Sequence, residues 1–190
     1  QKVDVSDDAS VKSAVDAAVA AFGALHVAVN CAGILGPCKT LSKGQLFPLD
    51  LWNRVLAINL TGTFNVVRHA SLAMSNNEPN ADGERGVIVN TSSGAAWQGQ
   101  MGQAAYSASK AAVIGMTLPI ARDLAQVGVR VVAVAPGLFE TGMSAGMPTK
   151  VSQHLTENVI LFPRRMGQAA EFGSTVRHIV ENAYLNATTI

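Results

Sequence analysis

Charged residues and long apolar runs are both scarce in this chain of 190 residues. Lysine, arginine, aspartate and glutamate together make up 14% of the positions, and the formal net charge is +1. This balance supplies no basic field of the kind that nucleic-acid binding requires, so we expect no nucleic-acid partner. The apolar runs, of which 129–135 is typical, are much shorter than the roughly 20 residues of a membrane-spanning helix, so we expect no membrane span.

Metal-ligating patterns are also missing. The two cysteines, Cys31 and Cys38, have neither the spacing of a zinc ligand pair nor that of a redox C-x-x-C motif. The four histidines are scattered along the chain without ligand spacing. The sequence therefore predicts no metal site, and a small molecule is the partner that fits this composition best.

The hydrophobic content of 48% is sufficient for the core of one domain spanning residues 1–190. Three short valine-rich runs are typical of buried parallel strands, at 26–30, 86–90 and 129–135. Helical patterns precede, separate and follow them, at 7–22, 48–59, 60–75, 104–127 and 169–182. Strands joined through helical crossovers predict an α/β fold with a Rossmann-like, doubly wound parallel sheet.

Small or polar residues follow each of the three predicted strands. The first strand leads into Asn30, Cys31, Ala32 and Gly33, the second into Asn90, Thr91, Ser92 and Ser93, and the third into Ala135, Pro136 and Gly137. Ligands of open α/β sheets bind beyond the carboxyl ends of the strands. We therefore expect room there for a flat ligand that lies against the backbone.

Tyr106 and Lys110 stand four residues apart in a predicted helix, so their side chains emerge from one face about one turn apart. A nearby ammonium favours the phenolate, and we expect it to lower the tyrosine pKa from about 10 toward working pH. Ser93 ends the preceding strand, where its hydroxyl can bond a carbonyl oxygen and stabilise developing charge. Asn59 lies near a helix break and could hold a water that relays protons to Lys110.

These motifs together resemble the classical short-chain dehydrogenase/reductase family. The motifs are the turn from Asn30 to Gly33, Asn59, Ser93, the Tyr106-x-x-x-Lys110 pair, and Pro136-Gly137. More narrowly, segments at 77–79, 99–110, 115–124 and 135–139, with a long loop at 36–49, are similar to a subgroup that acts on 3-hydroxyacyl-CoA esters and hydroxysteroids.

The resemblance implies a role for each matched position. Ser93, Tyr106 and Lys110 would be catalytic, Asn59 would complete the proton relay, and both Ser93 and Tyr106 would contact the substrate. Lys110 would also hold the nicotinamide ribose, and Asp4 with Val5 would contact the adenine. The implied cofactor-binding residues are Asp4, Val5, Asn30, Cys31, Ala32, Gly33, Tyr106, Lys110, Pro136, Gly137, Phe139 and Thr141.

Two features of the family are not found in this sequence. One is the glycine-rich turn that cradles the pyrophosphate, and the other is the second strand, after which the residue that selects NAD or NADP stands. The family's last strand would begin at 186–190, where the sequence stops. We therefore expect a sheet that lacks N-terminal strands and the C-terminal strand, and we expect residues 1–190 expressed alone to be poorly soluble and inactive. The subgroup likeness favours NAD, with NADP left open.

The reading favoured by the sequence is an oxidoreductase that interconverts a secondary alcohol and a ketone, on 3-hydroxyacyl-CoA or hydroxysteroid substrates. One alternative is an NADPH-dependent 3-oxoacyl-carrier-protein reductase, and another is a non-catalytic scaffold that binds partners through helices 60–75 and 104–127. The resemblance implies a homo-oligomer, a tetramer in the family, packed through those two helices. It also implies the mitochondrial matrix or the cytoplasm as the compartment, and the low cysteine content fits a reducing compartment.

Two further hypotheses concern the substrate. Residues 142–163 mix apolar and polar side chains after the third strand, which suggests a flap whose apolar residues, Leu161 among them, receive an acyl chain or a steroid. Lys39 and Lys43 in the long loop could meet the phosphates of coenzyme A, although lysines in loops are usually only solvated.

Overall fold

A computed structural model describes residues 1–190. The strands are β1 (Val27–Asn30), β2 (Leu41–Ser42), β3 (Gln45–Leu46), β4 (Gly86–Thr91), β5 (Val129–Val134), β6 (Phe139–Glu140) and β7 (Gly167–Gln168). The helices are α1 (Asp8–Phe22), α2 (Leu49–Leu56), α3 (Thr63–Met74), α4 (Ala95–Gln98), α5 (Ala104–Leu124), α6 (Thr149–Asn158) and α7 (Ala169–Glu181). A π-helical segment, Ala57–Gly62, joins α2 to α3, and a 3-10 turn, Ala125–Val127, follows α5.

The main sheet is parallel, with the order β1-β4-β5. Strand β5 is buried along its whole length and β4 along nearly all of it, because helices cover both faces, as in other doubly wound sheets. One face packs against α3 and α5, through Ile88 and Val131 of the sheet and Val67 and Met74 of α3. The opposite face packs against α7, mainly through Ile179. The predicted α/β class with a Rossmann-like parallel sheet is confirmed.

The chain end adds backbone hydrogen bonds to the outer edge of β5. The amide of Ala133 donates to the carbonyl of Thr188, and the amide of Ile190 donates back to the carbonyl of Ala133. Arg130 lies beneath this segment and donates to the carbonyls of Ile179, Val180, Asn182 and Leu185, while its guanidinium pairs with Glu84 at 2.9 Å. The arginine thus caps α7 at its C-terminal end, where backbone carbonyls lack helical partners.

Two local structures differ from the sequence-based expectation. The helices predicted at 48–59 and 60–75 form one continuous rod, because the π-helical segment joins α2 and α3 without a break. The long loop at 36–49 contains a β-hairpin, β2–β3, with the turn residues Lys43 and Gly44 both at positive φ (50° and 76°). Such a two-residue turn matches the right-handed twist of the strands it connects. None of the helices combines the length and the apolar character that crossing a lipid bilayer requires.

Candidate active site

A cavity of about 930 Å³ opens beyond the carboxyl ends of β4 and β5. Nine of the residues singled out in the sequence line it, namely Cys31, Gly33, Ser93, Tyr106, Lys110, Pro136, Gly137, Phe139 and Thr141. The loops after the strands are tied together at this edge, since the amide of Gly94 donates to the carbonyl of Pro136 at 2.9 Å. The loops that follow β4 and β5 therefore form one continuous wall of the cavity.

Lys110 is almost completely buried on the face of α5 that turns toward this wall. Its ammonium nitrogen donates to the carbonyl of Thr91 at 2.7 Å, and the hydroxyl of Ser92 donates to the Lys110 carbonyl at 2.7 Å. Burial lowers the pKa of Lys110 to about 8, because a charged amine loses hydration there, and the neighbouring Cys31 opposes this shift. The lysine is therefore still mostly protonated at pH 7, but it releases its proton at a much lower pH than an exposed lysine does.

Tyr106 lies one turn before Lys110 and is also buried, with its ring centroid 5.7 Å from the ammonium nitrogen. Burial raises the pKa of the Tyr106 phenol, and the hydroxyl of Ser93 beside it acts in the opposite direction. The lowered pKa that was expected from the sequence is therefore wrong. The reason is that the phenol loses hydration on burial, and the ammonium of Lys110 forms its hydrogen bond with the Thr91 carbonyl.

Ser93 stands between β4 and α4. Its oxygen accepts a hydrogen bond from the amide of Ala95 at 3.1 Å. On its other side the Ser93 hydroxyl lies beside the phenol of Tyr106. Ser93 and Tyr106 thus present two hydroxyl groups to the same space.

Asn59 is fully buried in the π-helical segment, and its side-chain amide binds the backbone of the loop after β1. Its oxygen accepts from the amide of Ile34 at 2.8 Å, and its nitrogen donates to the Ile34 carbonyl at 2.9 Å. Next to Ile34, a Cβ atom at Gly33 would lie 3.3 Å from Asn59 Oδ1 and 3.6 Å from Lys110 Nζ. The absence of a side chain at Gly33 therefore leaves the backbone open beside the ammonium, which fits a flat cofactor group.

Five of the singled-out residues do not line the cavity: Asp4, Val5, Asn30, Ala32 and Asn59. Asn30 crosses from β1 to β4 and donates to the side chain of Asn90 at 2.8 Å, which fixes the two strand ends. Asp4 accepts from the hydroxyl and the amide of Ser6, and these bonds lower the pKa of its carboxyl. Val5 packs against Gly62, where a Cβ atom would come within 2.5 Å of the valine side chain.

The segment 142–163, from which the sequence predicted apolar residues at the substrate site, lines the cavity, whereas Phe172 of α7 was not found from the sequence. Apolar side chains from the segment after β5 and from α7 form much of one wall, including Met143, Met147, Val159, Ile160, Phe162 and Phe172. The specific choice of Leu161 was wrong, because its side chain is 88% exposed and does not line the cavity. Helical periodicity could not have separated Ile160 from Leu161, since both follow the end of α6.

The lysines of the long loop lie outside this cavity. Lys39 lines a separate open groove of about 590 Å³ beside Trp97 and Met101, and Lys43 occupies the exposed hairpin turn. Gln100 and Gln103 line both the groove and the cavity. The structure brings together no group of three or more side chains that could hold a metal ion.

A parallel α/β sheet with a ligand cavity at its strand ends is the arrangement of dinucleotide-dependent enzymes. The family model described as short chain dehydrogenase matches residues 1–152. The chain belongs to the short-chain dehydrogenase family and is an oxidoreductase that uses a nicotinamide cofactor.

Individual relatives are similar over almost the whole chain. The 3-hydroxyacyl-CoA dehydrogenase type-2 of Homo sapiens is 51% identical over 189 residues, which cover 98% of this chain and 72% of that protein. The protein of the same name from Drosophila melanogaster is 50% identical, over 99% of this chain and 74% of its own length. Among solved structures, 3-hydroxyacyl-CoA dehydrogenase type-2 from Mycobacterium avium matches with a TM-score of 0.93 and 34% identity. The match covers 100% of this chain and 73% of that one.

Proposed function

We propose that this chain carries the catalytic site of an NAD-dependent dehydrogenase that interconverts a secondary alcohol and a ketone on 3-hydroxyacyl-CoA esters. The observation that carries this proposal is the convergence of Ser93, Tyr106 and Lys110 on one cavity beyond the strand ends. Tyr106 is the acid/base group, Ser93 binds the reacting oxygen, and Lys110 assists the tyrosine and holds the ribose of the cofactor.

The proposed chemistry needs a proton donor and an oxygen-binding group at one point. During reduction, the Tyr106 phenol gives its proton to the carbonyl oxygen, and during oxidation the phenolate takes it back. The Ser93 hydroxyl donates to the same oxygen and stabilises its developing charge. Lys110, with its pKa of about 8, replaces the proton that Tyr106 has released. We assign Asn59 to the same relay as the residue that holds the loop after β1 beside Lys110 through its bonds to Ile34. A bound nicotinamide supplies or accepts the hydride.

The residues present fit such a cofactor at several points. Gly33 leaves the backbone open beside Lys110, and a second backbone stretch, Pro136-Gly137, faces the cavity from the end of β5. We assign the nicotinamide end to Cys31, Phe139 and Thr141, which line the same space. Asn30 and Ala32 hold the turn, and Asp4 with Val5 holds the adenine. NAD rather than NADP is proposed from the likeness to the type-2 dehydrogenases.

The substrate class rests on the apolar wall and on the names of the relatives. Met147, Ile160 and Phe172 provide a surface on which an acyl chain is transferred out of water. Hydroxysteroids are a broader possibility on the same wall. The 3-oxoacyl-carrier-protein reductase reading is the second candidate, since it differs only in the cofactor and in the carrier of the acyl group. The scaffold reading is not kept, because the family is one of enzymes.

A homo-oligomer, with the tetramer of the family as the expected size, is also part of the proposal. Phe64 and Leu72 of α3 and Leu118 of α5 are large apolar side chains on the outer faces of these helices, exposed to between 42% and 68%. Burying them against a second copy would remove apolar surface from water. Sedimentation should show one oligomeric species; a strictly monomeric protein would contradict this. The proposed compartment is the mitochondrial matrix or the cytoplasm.

The substrate proposal is tested by steady-state kinetics on a protein carrying this chain, with acetoacetyl-CoA and a longer 3-oxoacyl-CoA ester, and with NADH or NADPH. We expect turnover with NADH and a marked preference for it over NADPH. Ile160→Asp places a charge on the apolar wall and should raise KM for the longer ester, while Leu161→Asp, next in sequence and outside the cavity, is the matched control. Equal KM values for the two variants would contradict the assignment of this wall.

A further inference from the structure

Ser109 is a fully buried hydroxyl that stands directly before Lys110 in α5 and does not line the cavity. Its hydroxyl donates to the carbonyl oxygen of Tyr106 at 2.7 Å. The hydroxyl oxygen of Ser109 in turn accepts a hydrogen bond from Asn59 Nδ2 at 3.0 Å. Ser109 is therefore bonded at once to the backbone of the proposed acid/base residue and to the side chain of the proposed relay residue.

The bond from Asn59 to Ser109 completes the set of partners of the asparagine amide. One amide hydrogen goes to the carbonyl of Ile34 and the other to Ser109, while the amide oxygen accepts from the Ile34 amide. Without the Ser109 hydroxyl, one of these hydrogens would be buried with no acceptor, a situation that folded proteins avoid. Ser109 and Asn59 thus join three parts of the fold: α5, the π-helical segment and the loop after β1.

This junction lies directly under the open backbone of the cavity. Ile34 follows Gly33 in the chain. A Cβ atom at Gly33 would lie between Asn59 Oδ1 and Lys110 Nζ, so the Gly33 backbone is close to both groups. A shift of the Asn59 amide would therefore move the Gly33 backbone relative to the ammonium. We propose that Ser109 is a positioning residue, which acts through Asn59 to set the distance between the Gly33 backbone and Lys110, and so the affinity for the cofactor. The inference rests on the proposed function.

The test uses a protein carrying this chain and compares Ser109→Ala, Asn59→Ala and the double variant with the parent. The matched control is Thr117→Val, because Thr117 is a buried hydroxyl of the same helix that bonds only to the carbonyl of Val113 within α5. The Kd for NADH is measured by fluorescence titration, the pH profile of kcat by steady-state kinetics, and the Tm by calorimetry. NADH binding by the parent tests the proposed function separately from the role of Ser109.

We expect Ser109→Ala to weaken NADH binding about tenfold, as the loss of one hydrogen bond to a positioned group implies, and to shift the pH profile of kcat. Thr117→Val should lower Tm without changing either property. The double variant should be little worse than Asn59→Ala, because the two residues act through one bond. An unchanged Kd and pH profile in Ser109→Ala, or fully additive effects in the double variant, would overturn the inference. Should Ser109→Ala not fold, Ser109→Cys, with its weaker donor and acceptor, must give a smaller shift in the same direction.

Discussion

Replacing Lys110 with methionine should make the cofactor-free protein more stable while removing its activity. The lysine is buried, and its pKa falls from 10.5 to about 8 in the folded chain. A difference of about 2.5 pKa units corresponds to about 3 kcal/mol by which the charged form disfavours folding. Methionine fills a similar volume without a charge, but it leaves the carbonyl of Thr91 without its hydrogen bond, which offsets about 1 kcal/mol. The expected net gain at pH 7 is therefore about 2 kcal/mol.

The pH dependence gives this prediction its sign. Above pH 10.5 the amine is neutral in both the folded and the unfolded chain, so it does not disfavour folding. As the pH falls from 10.5 to about 8, the unfolded chain takes up the proton first, and the folded state loses stability. Below about pH 8 both states are charged and the full cost is present. The contribution of Lys110 to the free energy of unfolding therefore rises between pH 8 and 10.5, and Lys110→Met should lack this rise.

The assay is urea denaturation of the cofactor-free protein at several pH values between 7 and 11, with thermal unfolding as a second measure. A gain of about 2 kcal/mol corresponds to an increase in Tm of about 6 °C for a chain of this size. Lys150→Met, at an exposed position of α6, is the control and should change stability by less than about 0.5 kcal/mol. A destabilised Lys110→Met variant, or one that keeps the full rise above pH 8, would refute the argument that burial of this charge opposes folding.

Two further predictions concern Arg130, which caps α7, and Cys31, which lines the cavity. Arg130→Met should destabilise the protein by about 3 kcal/mol, because it leaves the half-buried Glu84 carboxylate without its partner and α7 uncapped. The control Arg177→Met removes an exposed ion pair and should change the free energy of unfolding, measured by urea denaturation, by less than about 1 kcal/mol. Equal effects of the two substitutions would contradict the role of Arg130 as the cap of α7. Bound NADH should slow the alkylation of Cys31 by iodoacetamide but not that of Cys38, which lies outside the cavity, as followed by peptide mass spectrometry. Equal protection of both thiols would place the cofactor elsewhere.

The sequence predicted the frame of the fold well, because its signals are local. The valine runs of β4 and β5 are almost uniformly apolar, as expected of strands covered on both faces, and their observed bounds differ from the predicted ones by a residue or less. Asp7 and Gly23 mark the two ends of α1 by ordinary capping, with Gly23 in the left-handed conformation at φ 81°. Such signals need no knowledge of the rest of the fold.

The missed elements depend on contacts that are distant in sequence. The π-helical segment is joined to the loop after β1 through Asn59 and Ile34, a contact that periodicity does not register. The hairpin β2–β3 turns at Lys43-Gly44, in which only the glycine is a typical turn residue, so the sequence indicates only a long loop there.

The candidate site was predicted in its composition but only partly in its electrostatics. Spacing alone placed Tyr106 and Lys110 on one face of α5, which the structure also shows. Spacing could not indicate that both side chains are buried, nor that the lysine bonds to Thr91, and these facts determine the direction of both pKa shifts. The role of Ser109 was missed because a small polar residue inside a helix carries no distinct signal until its partner, 50 residues earlier, is known.

The most direct test of the central proposal is the kcat of a Tyr106→Phe variant in a protein carrying this chain, measured with acetoacetyl-CoA and NADH. The substitution removes the hydroxyl and keeps the buried ring. We predict that kcat falls by at least about 100-fold, the usual contribution of a general acid, while the Kd for NADH changes by less than about threefold. Tyr184→Phe, at an exposed position, should retain full activity. A Tyr106→Phe variant with the turnover of the parent would contradict the assignment of Tyr106 as the acid/base residue.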